Sequence, residues 1–260
     1  MTALATESRL FAKRLLLRWR REPVMPIQAL LYPTFLLITY YLLVGKSMVR
    51  ITGTDGLAGL VATCAVAGAM FGSLASSSTI QAERDSGLLG RFWVLPVHRA
   101  SALTGRLLAE AVRTLVGSIV ITAVGVALGL RFPGGWHGGW LGVIPFVLVP
   151  VAVVIAFAMT LTAIAVRSAN NNAMVWVGVL GIAAAFASSG SPPIEMLPTW
   201  IQPLIRFQPL APTIELMRGF ATGTPVNRPL LLCLAWAVGI LAVVGPLAVA
   251  GYRRAAESGR

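Results

Sequence analysis

The chain has 260 residues, of which 57% are hydrophobic and only 12% charged, and its mean hydropathy is +0.79. A soluble domain of this length carries about twice that charged fraction, and several apolar runs exceed the roughly 18 residues that mark a membrane-crossing helix. The formal charge of +12 does not imply a nucleic-acid partner, because the basic residues occupy particular connecting segments rather than one soluble face.

Residues 7–21, ESRLFAKRLLLRWRR, come first. On a helical wheel Phe11, Ala12, Leu15, Leu16 and Trp19 share a stripe, with Arg9, Lys13, Arg14, Arg18 and Arg20 elsewhere. This spacing predicts an amphipathic helix in the cytoplasmic interface, its stripe in the acyl boundary and its arginines near anionic headgroups. A basic leader that only sets orientation is the plainer alternative. The apolar run at 26–45 follows, and its exit, LLVGKSMVR, lacks a small-x-small cleavage site. It is expected to stay as the first span rather than leave as a signal peptide.

The second span is expected at 57–79, where Gly68, Gly72 and Ser76 recur every fourth residue, and the third at 102–129, where Gly125 and Gly129 do the same. Small-residue ridges let helix backbones approach in lipid, where no hydrophobic effect draws helices together. Between them lies a charged insert, residues 79–106. Leu88, Leu89, Phe92 and Trp93 form two i, i+4 pairs, which gives a short helix one apolar face. Glu83, Arg84 and Asp85 precede that face and Pro96 ends it. An apolar patch ringed by charge suits docking into a protein cleft; a loop lying on the bilayer is the alternative.

Glu110 and Arg113 stand one turn apart early in the third span. A lone charge at mid-bilayer costs roughly 2.5–3.5 kcal/mol on insertion scales, so the two are expected either to neutralise each other or to face a substrate path. The fourth span, 141–166, contains Pro145 and Pro150, which are expected to kink it. The fifth, 172–189, is short and opens on asparagines. Half of the chain's 16 prolines then fall between Pro192 and Pro229. Prolines at helix starts with apolar residues between them suggest short re-entrant or capping helices, against an extracellular loop resting on the membrane. The sixth span is 230–251.

Runs this long and uniformly apolar exclude barrel strands. The reading is therefore an all-α membrane protein, one transmembrane domain over residues 1–260, with a cytoplasmic segment at 80–101 and an extracytoplasmic one at 190–229. Six spans put both termini on one side. That side, with the insert, collects fourteen basic residues against six opposite, so it is expected to be cytoplasmic.

Catalytic patterns are scarce. His98 and His137 fall on opposite sides of this topology, and Cys64 and Cys233 lie in separate apolar runs without neighbouring ligands, so no metal site is expected. There is no Gly-x-Ser-x-Gly elbow. Gly45-Lys46-Ser47 echoes the end of a phosphate loop, but Tyr40 stands where its first glycine belongs. No catalytic residue and no cofactor is expected on this chain.

Glu83-Arg84-Asp85-Ser86-Gly87-Leu88-Leu89, followed by Leu95-Pro96-Val97-His98-Arg99, resembles the E-R-E-x-G-T-L-E-x-L…T-P-V-S-R signature of type-2 ATP-binding-cassette (ABC) exporter membrane subunits, in particular the daunorubicin-resistance-type permeases. Pro192 to Trp200, Gln208 to Pro212 and Arg218-Gly219 are similar to the stretch before the family's last span. The chain departs from the signature at Asp85, Leu88, Gly90, Leu95 and His98. The resemblance covers nearly the whole chain. It implies a plasma-membrane permease in a bacterium, paired with a second membrane subunit, identical or related, and with a separate ATPase dimer that binds ATP and Mg. It also implies that Glu83, Arg84, Asp85, Gly87, Leu88, Leu89, Phe92 and Pro96 belong to an ATPase-coupling segment, with residues 82–93 as its helix, supported by the interfacial helix at Arg14, Arg18 and Trp19. Few charges in the spans suit a hydrophobic or amphipathic cargo, a drug, polyketide or lipid, better than an ion or sugar. An ATP-independent transporter or channel is the competing reading, and a membrane-embedded enzyme a third, which the missing catalytic constellation disfavours.

Overall fold

The computed structural model describes residues 2–21, 24–52, 56–85, 101–132, 139–167, 172–188, 198–200 and 202–258. Among them are nine helices and no strands: α1 Thr2–Arg21, α2 Val24–Thr52, α3 Leu57–Asp85, α4 Ser101–Ala127, α5 Trp140–Arg167, α6 Asn172–Ala187, α7 Gln202–Phe207, α8 Leu210–Thr222 and α9 Asn227–Ser258. Four contain stretches long and apolar enough to cross a membrane, Leu57–Ile80, Ser101–Ala127, Leu141–Arg167 and Asn227–Gly251. Two shorter apolar stretches, Leu30–Leu43 in α2 and Asn172–Ala187 in α6, coincide with the expected first and fifth spans.

Helix α3 is the axis of the bundle. Of its most apolar window 83% is buried, against none of the corresponding window of α9. It packs against α2, α4, α5, α6 and α8, and Leu57 to Met70 supply half of the main core, joined by Leu37, Ile121, Phe146, Ile214 and Met217 from its neighbours. Its small residues explain this position. A Cβ on Gly68 would lie 2.7 Å from the Pro33 ring, so α2 crosses at van der Waals contact with the α3 backbone. A Cβ on Gly125 of α4 would lie 2.7 Å from Val61. Large apolar side chains outside the core, such as Leu31, Phe35 and Leu42 on α2 and Leu231, Leu234 and Val238 on α9, are exposed. That is the inverse of a water-soluble bundle, where such faces turn inward.

Gly129 is not the ridge residue that its spacing from Gly125 suggests. It has φ +112° and closes α4: Leu130 N–H donates to the Gly125 carbonyl and Gly129 N–H to that of Val126, a glycine C-terminal cap. Pro145 and Pro150 lie inside a single assigned helix, α5, as do Pro33 in α2 and Pro246 in α9.

The proline-rich stretch contains helices that begin where the prolines stand. Pro203 is the second residue of α7, while Pro209 precedes α8 and Pro212 is its third residue. Helix α8 is not a loose surface element. Ile214, Met217 and Ala221 are fully buried in the main core, the Gln208 amide donates to the Ala184 carbonyl at the end of α6, and Gly223 at φ 75° caps the C-terminus.

Replacing Gly125 by valine is expected to lower the detergent melting temperature through overpacking of about 1–3 kcal/mol. Gly239→Val, where an added Cβ meets nothing within 4 Å, is expected to leave the melt unchanged.

Candidate functional site

The charged insert begins in the last turns of α3 and ends in the first turns of α4. Helix α3 continues to Asp85, so Glu83, Arg84 and Asp85 belong to the last turn of a core helix and not to a separate short one. Gly87, Leu88, Leu89, Phe92 and Pro96 lie outside the described residues, and with them the apolar docking face.

What the structure describes is the base of the insert. Glu83 is buried, and its Oε2 accepts from the Arg106 guanidinium at 3.2 Å. Arg106, also buried, donates to the Ser76 carbonyl at 2.6 Å and to the Thr79 hydroxyl at 2.5 Å. The guanidinium thereby ties the second turn of α4 to the last turns of α3. The other carboxylate oxygen of Glu83 faces α1, with Arg14 at 3.9 Å and Arg18 at 4.0 Å. One carboxylate thus meets three guanidinium groups from two helices. Two half-exposed arginines at such distances add little individually, whereas the buried Glu83–Arg106 pair would leave an uncompensated charge if either member were lost.

Helix α1 lies on α4. The apolar stripe was expected to enter the acyl boundary, but Ala12 and Leu15 are buried against Ala109, with Trp19 alongside. Gly105 permits this contact: a Cβ there would lie 2.5 Å from the Cβ of Phe11 and 2.8 Å from the Ser8 carbonyl oxygen. Ser8 and Thr104 share a hydroxyl–hydroxyl hydrogen bond of 2.6 Å. Ala12 and Leu15 of the stripe serve protein packing, while the large apolar residues that α1 leaves exposed are Leu10 and Leu17.

Deeper in α4, Glu110 and Arg113 form the expected pair. Arg113 donates to Glu110 Oε2 through Nη2 at 2.7 Å and through Nε at 3.2 Å, and Nη2 also reaches the Ala69 carbonyl of α3 at 3.0 Å. The guanidinium lies across Gly72, where any Cβ would collide with it. Gly72 is therefore a slot for a side chain, a role that its place in a small-residue ridge does not reveal.

Sequence reading missed a polar stripe on the same helix. Glu110, Thr114, Ser118 and Thr122 recur every fourth residue and are all buried. The Glu110 Oε1 atom and the three hydroxyls have no hydrogen-bond partner, nor does Ser73 of α3. The four-residue period of polar side chains was the available signal. Beside the stripe, α1, α2, α3 and α4 border a partly open cavity of about 170 Å³ lined by Leu16, Trp19, Leu30, Arg113, Thr114 and Ser118 among others. Among the described residues no cluster of three or more His, Cys, Asp or Glu is placed to hold a metal.

Residues 7–221 match the family model described as ABC-2 type transporter. A Mycobacterium tuberculosis protein named "Probable doxorubicin resistance ABC transporter permease protein DrrC" is 39% identical over 243 residues, 93% of this chain and 86% of that one. The "Daunorubicin resistance ABC transporter permease protein DrrB1" of Streptomyces coeruleorubidus is 23% identical over 246 residues, 92% of this chain and 83% of its own length.

Glu83→Gln is expected to destabilise the fold by about 3–5 kcal/mol, the cost of breaking a buried pair. Loss of the half-exposed partner in Arg14→Gln or Arg18→Gln is expected to cost at most about 1 kcal/mol. Melting curves in detergent, with limited proteolysis at the α1–α4 contact, would show the difference.

Proposed function

The chain belongs to the ABC-2 type transporter family, and on that footing we infer that it is the membrane permease subunit of an ATP-driven exporter of hydrophobic or amphipathic compounds. Its relatives named for doxorubicin and daunorubicin resistance support a drug-like cargo. Membership over residues 7–221 is the observation that carries the reading. Hydrolysis is assigned to a separate ATPase pair, which binds ATP and magnesium. A second membrane subunit, a copy or a relative, completes the pathway. The protein resides in the bacterial plasma membrane with both termini cytoplasmic. The apolar portions of α2 and α6 serve as the two further spans, making six, and α7 and α8 cap the bundle on the extracytoplasmic side.

The geometry at the base of the insert supports a division of labour. Residues beyond Asp85, chiefly Leu88, Leu89 and Phe92, dock on the ATPase, with Arg84, Asp85 and Gly87 at the margin and Pro96 ending the docking helix. Glu83 is internal. Buried against Arg106 and facing Arg14 and Arg18, it holds α1, α3 and α4 in register, so motion imposed on the insert reaches all three together.

The experiment separates docking from folding. Leu88→Asp with Phe92→Asp is expected to abolish copurification of the ATPase and drug efflux, at normal membrane abundance and with an unchanged melting temperature. Retention of the ATPase in that variant would overturn the docking assignment. Cargo uptake by vesicles holding this chain alone, without nucleotide, would favour an ATP-independent transporter instead.

A further inference from the structure

We propose that the polar stripe of α4 (Glu110, Thr114, Ser118 and Thr122), with Ser73 of α3, is a cargo-binding track that opens along the α3–α4 contact and takes the hydrogen-bonding face of a hydroxyl- or ammonium-bearing amphiphile. The proposal rests on the exporter reading and names the part of the bundle that meets the cargo.

The first support is a contrast among hydroxyls. Thr34, Thr63, Thr160, Thr162 and Thr213 each donate to the carbonyl four residues earlier, at 2.7–3.1 Å. This is the ordinary way for a membrane helix to satisfy a buried hydroxyl. Thr114, Ser118 and Thr122 have helical carbonyls at the same offsets but are bonded to none, and Ser73 is equally unpartnered. Each such group is penalised in a dry interior. Their oxygens are inaccessible to water as packed, so their partners belong to a different arrangement of the helices.

The second support is position. Four residues at intervals of four span about 18 Å of helix axis, over half of a hydrocarbon core of roughly 30 Å. The stripe lies on the α3 side of α4. Thr114 and Ser118 precede by seven residues Ile121 and Gly125, which approach Gly68 and Val61 of α3. That contact is built from small residues along the stripe and is crossed there by the Arg113 guanidinium, with Arg106 crossing nearer the start of α4. The cavity beside it, already lined by Thr114 and Ser118, leaves room for the helices to part.

The third support is chemical sign. Arg113 is committed to Glu110 Oε2 and the Ala69 carbonyl, while Glu110 Oε1 is an unused acceptor. Hydroxyls and a carboxylate oxygen together favour a ligand rich in donors and disfavour an anion.

The test uses inside-out vesicles carrying the full chain with the ATPase that copurifies with it. Thr114→Cys, Ser118→Cys and Thr122→Cys are probed singly with a charged methanethiosulfonate, over the background of Cys64 and Cys233, with and without ATP. Labelling is expected at all three in one nucleotide state and not at Ile119→Cys on the exposed apolar face. Absence of labelling at every stripe position in every state overturns the proposal. A second variant, Thr114→Val with Ser118→Ala and Thr122→Val, is expected to raise the melting temperature while efflux of ethidium, an amine-bearing cation, falls roughly fivefold for each hydroxyl the cargo uses. Unchanged ethidium efflux in that variant also overturns it. Ethidium efflux by the unaltered complex is the control for the exporter reading, and its absence refutes that reading and the proposal with it. Normal efflux with a silent stripe refutes the track alone.

Discussion

Backbone-to-neighbour approach at glycine is the constraint on which this fold depends. Helices in hydrocarbon gain nothing from burying apolar surface against each other, so their order must come from contact area and hydrogen bonds. The chain meets this condition by giving α3 and α4 glycines where other helices cross. Gly68 receives Pro33, Gly125 receives Val61, Gly105 receives α1, and Gly72 receives the Arg113 guanidinium. These four positions set how closely α1 approaches α4 and how closely α2 and α4 approach α3. The aliphatic residues between them fill space without choosing a neighbour.

Buried charge is handled in two ways along α4. Near its start, Glu83 and Arg106 come from different helices, and Arg106 also donates to Ser76 and Thr79 of α3, so neutralisation and assembly are the same act. One to two turns further in, Glu110 and Arg113 neutralise each other within one helix, and only the surplus donor of Arg113 reaches across to α3. The first pair is a joint between elements. The second is self-contained and tolerates relative movement better, since its strongest bond survives a shift of α3.

Much of the architecture was legible in the sequence because membrane helices announce themselves by length and apolarity, and because family motifs fall in the insert and before the last span. The stripe on α1 was read correctly as a stripe, but its partner was not. Composition cannot say whether Ala12 and Leu15 meet lipid or α4, and that was decided by Gly105 more than ninety positions away in sequence. Gly125 and Gly129 share a spacing yet differ in role, since the left-handed turn at Gly129 depends on where the helix stops. Glu83 was legible as part of a motif and illegible as a buried strut, because its three arginines come from distant positions. The hydroxyl stripe on α4 had a visible period, overlooked because threonine and serine hardly alter the hydropathy of a span.

The clasp at the root of the insert has a mechanical consequence. Its two feet are shackled to each other by the Arg106 guanidinium, so the lower ends of the two shafts, α3 and α4, shift together. Because one of those shafts, α3, is in contact with α2, α5, α6 and α8 as well as its twin, a rotation of that foot turns the helix against which most of the bundle is packed.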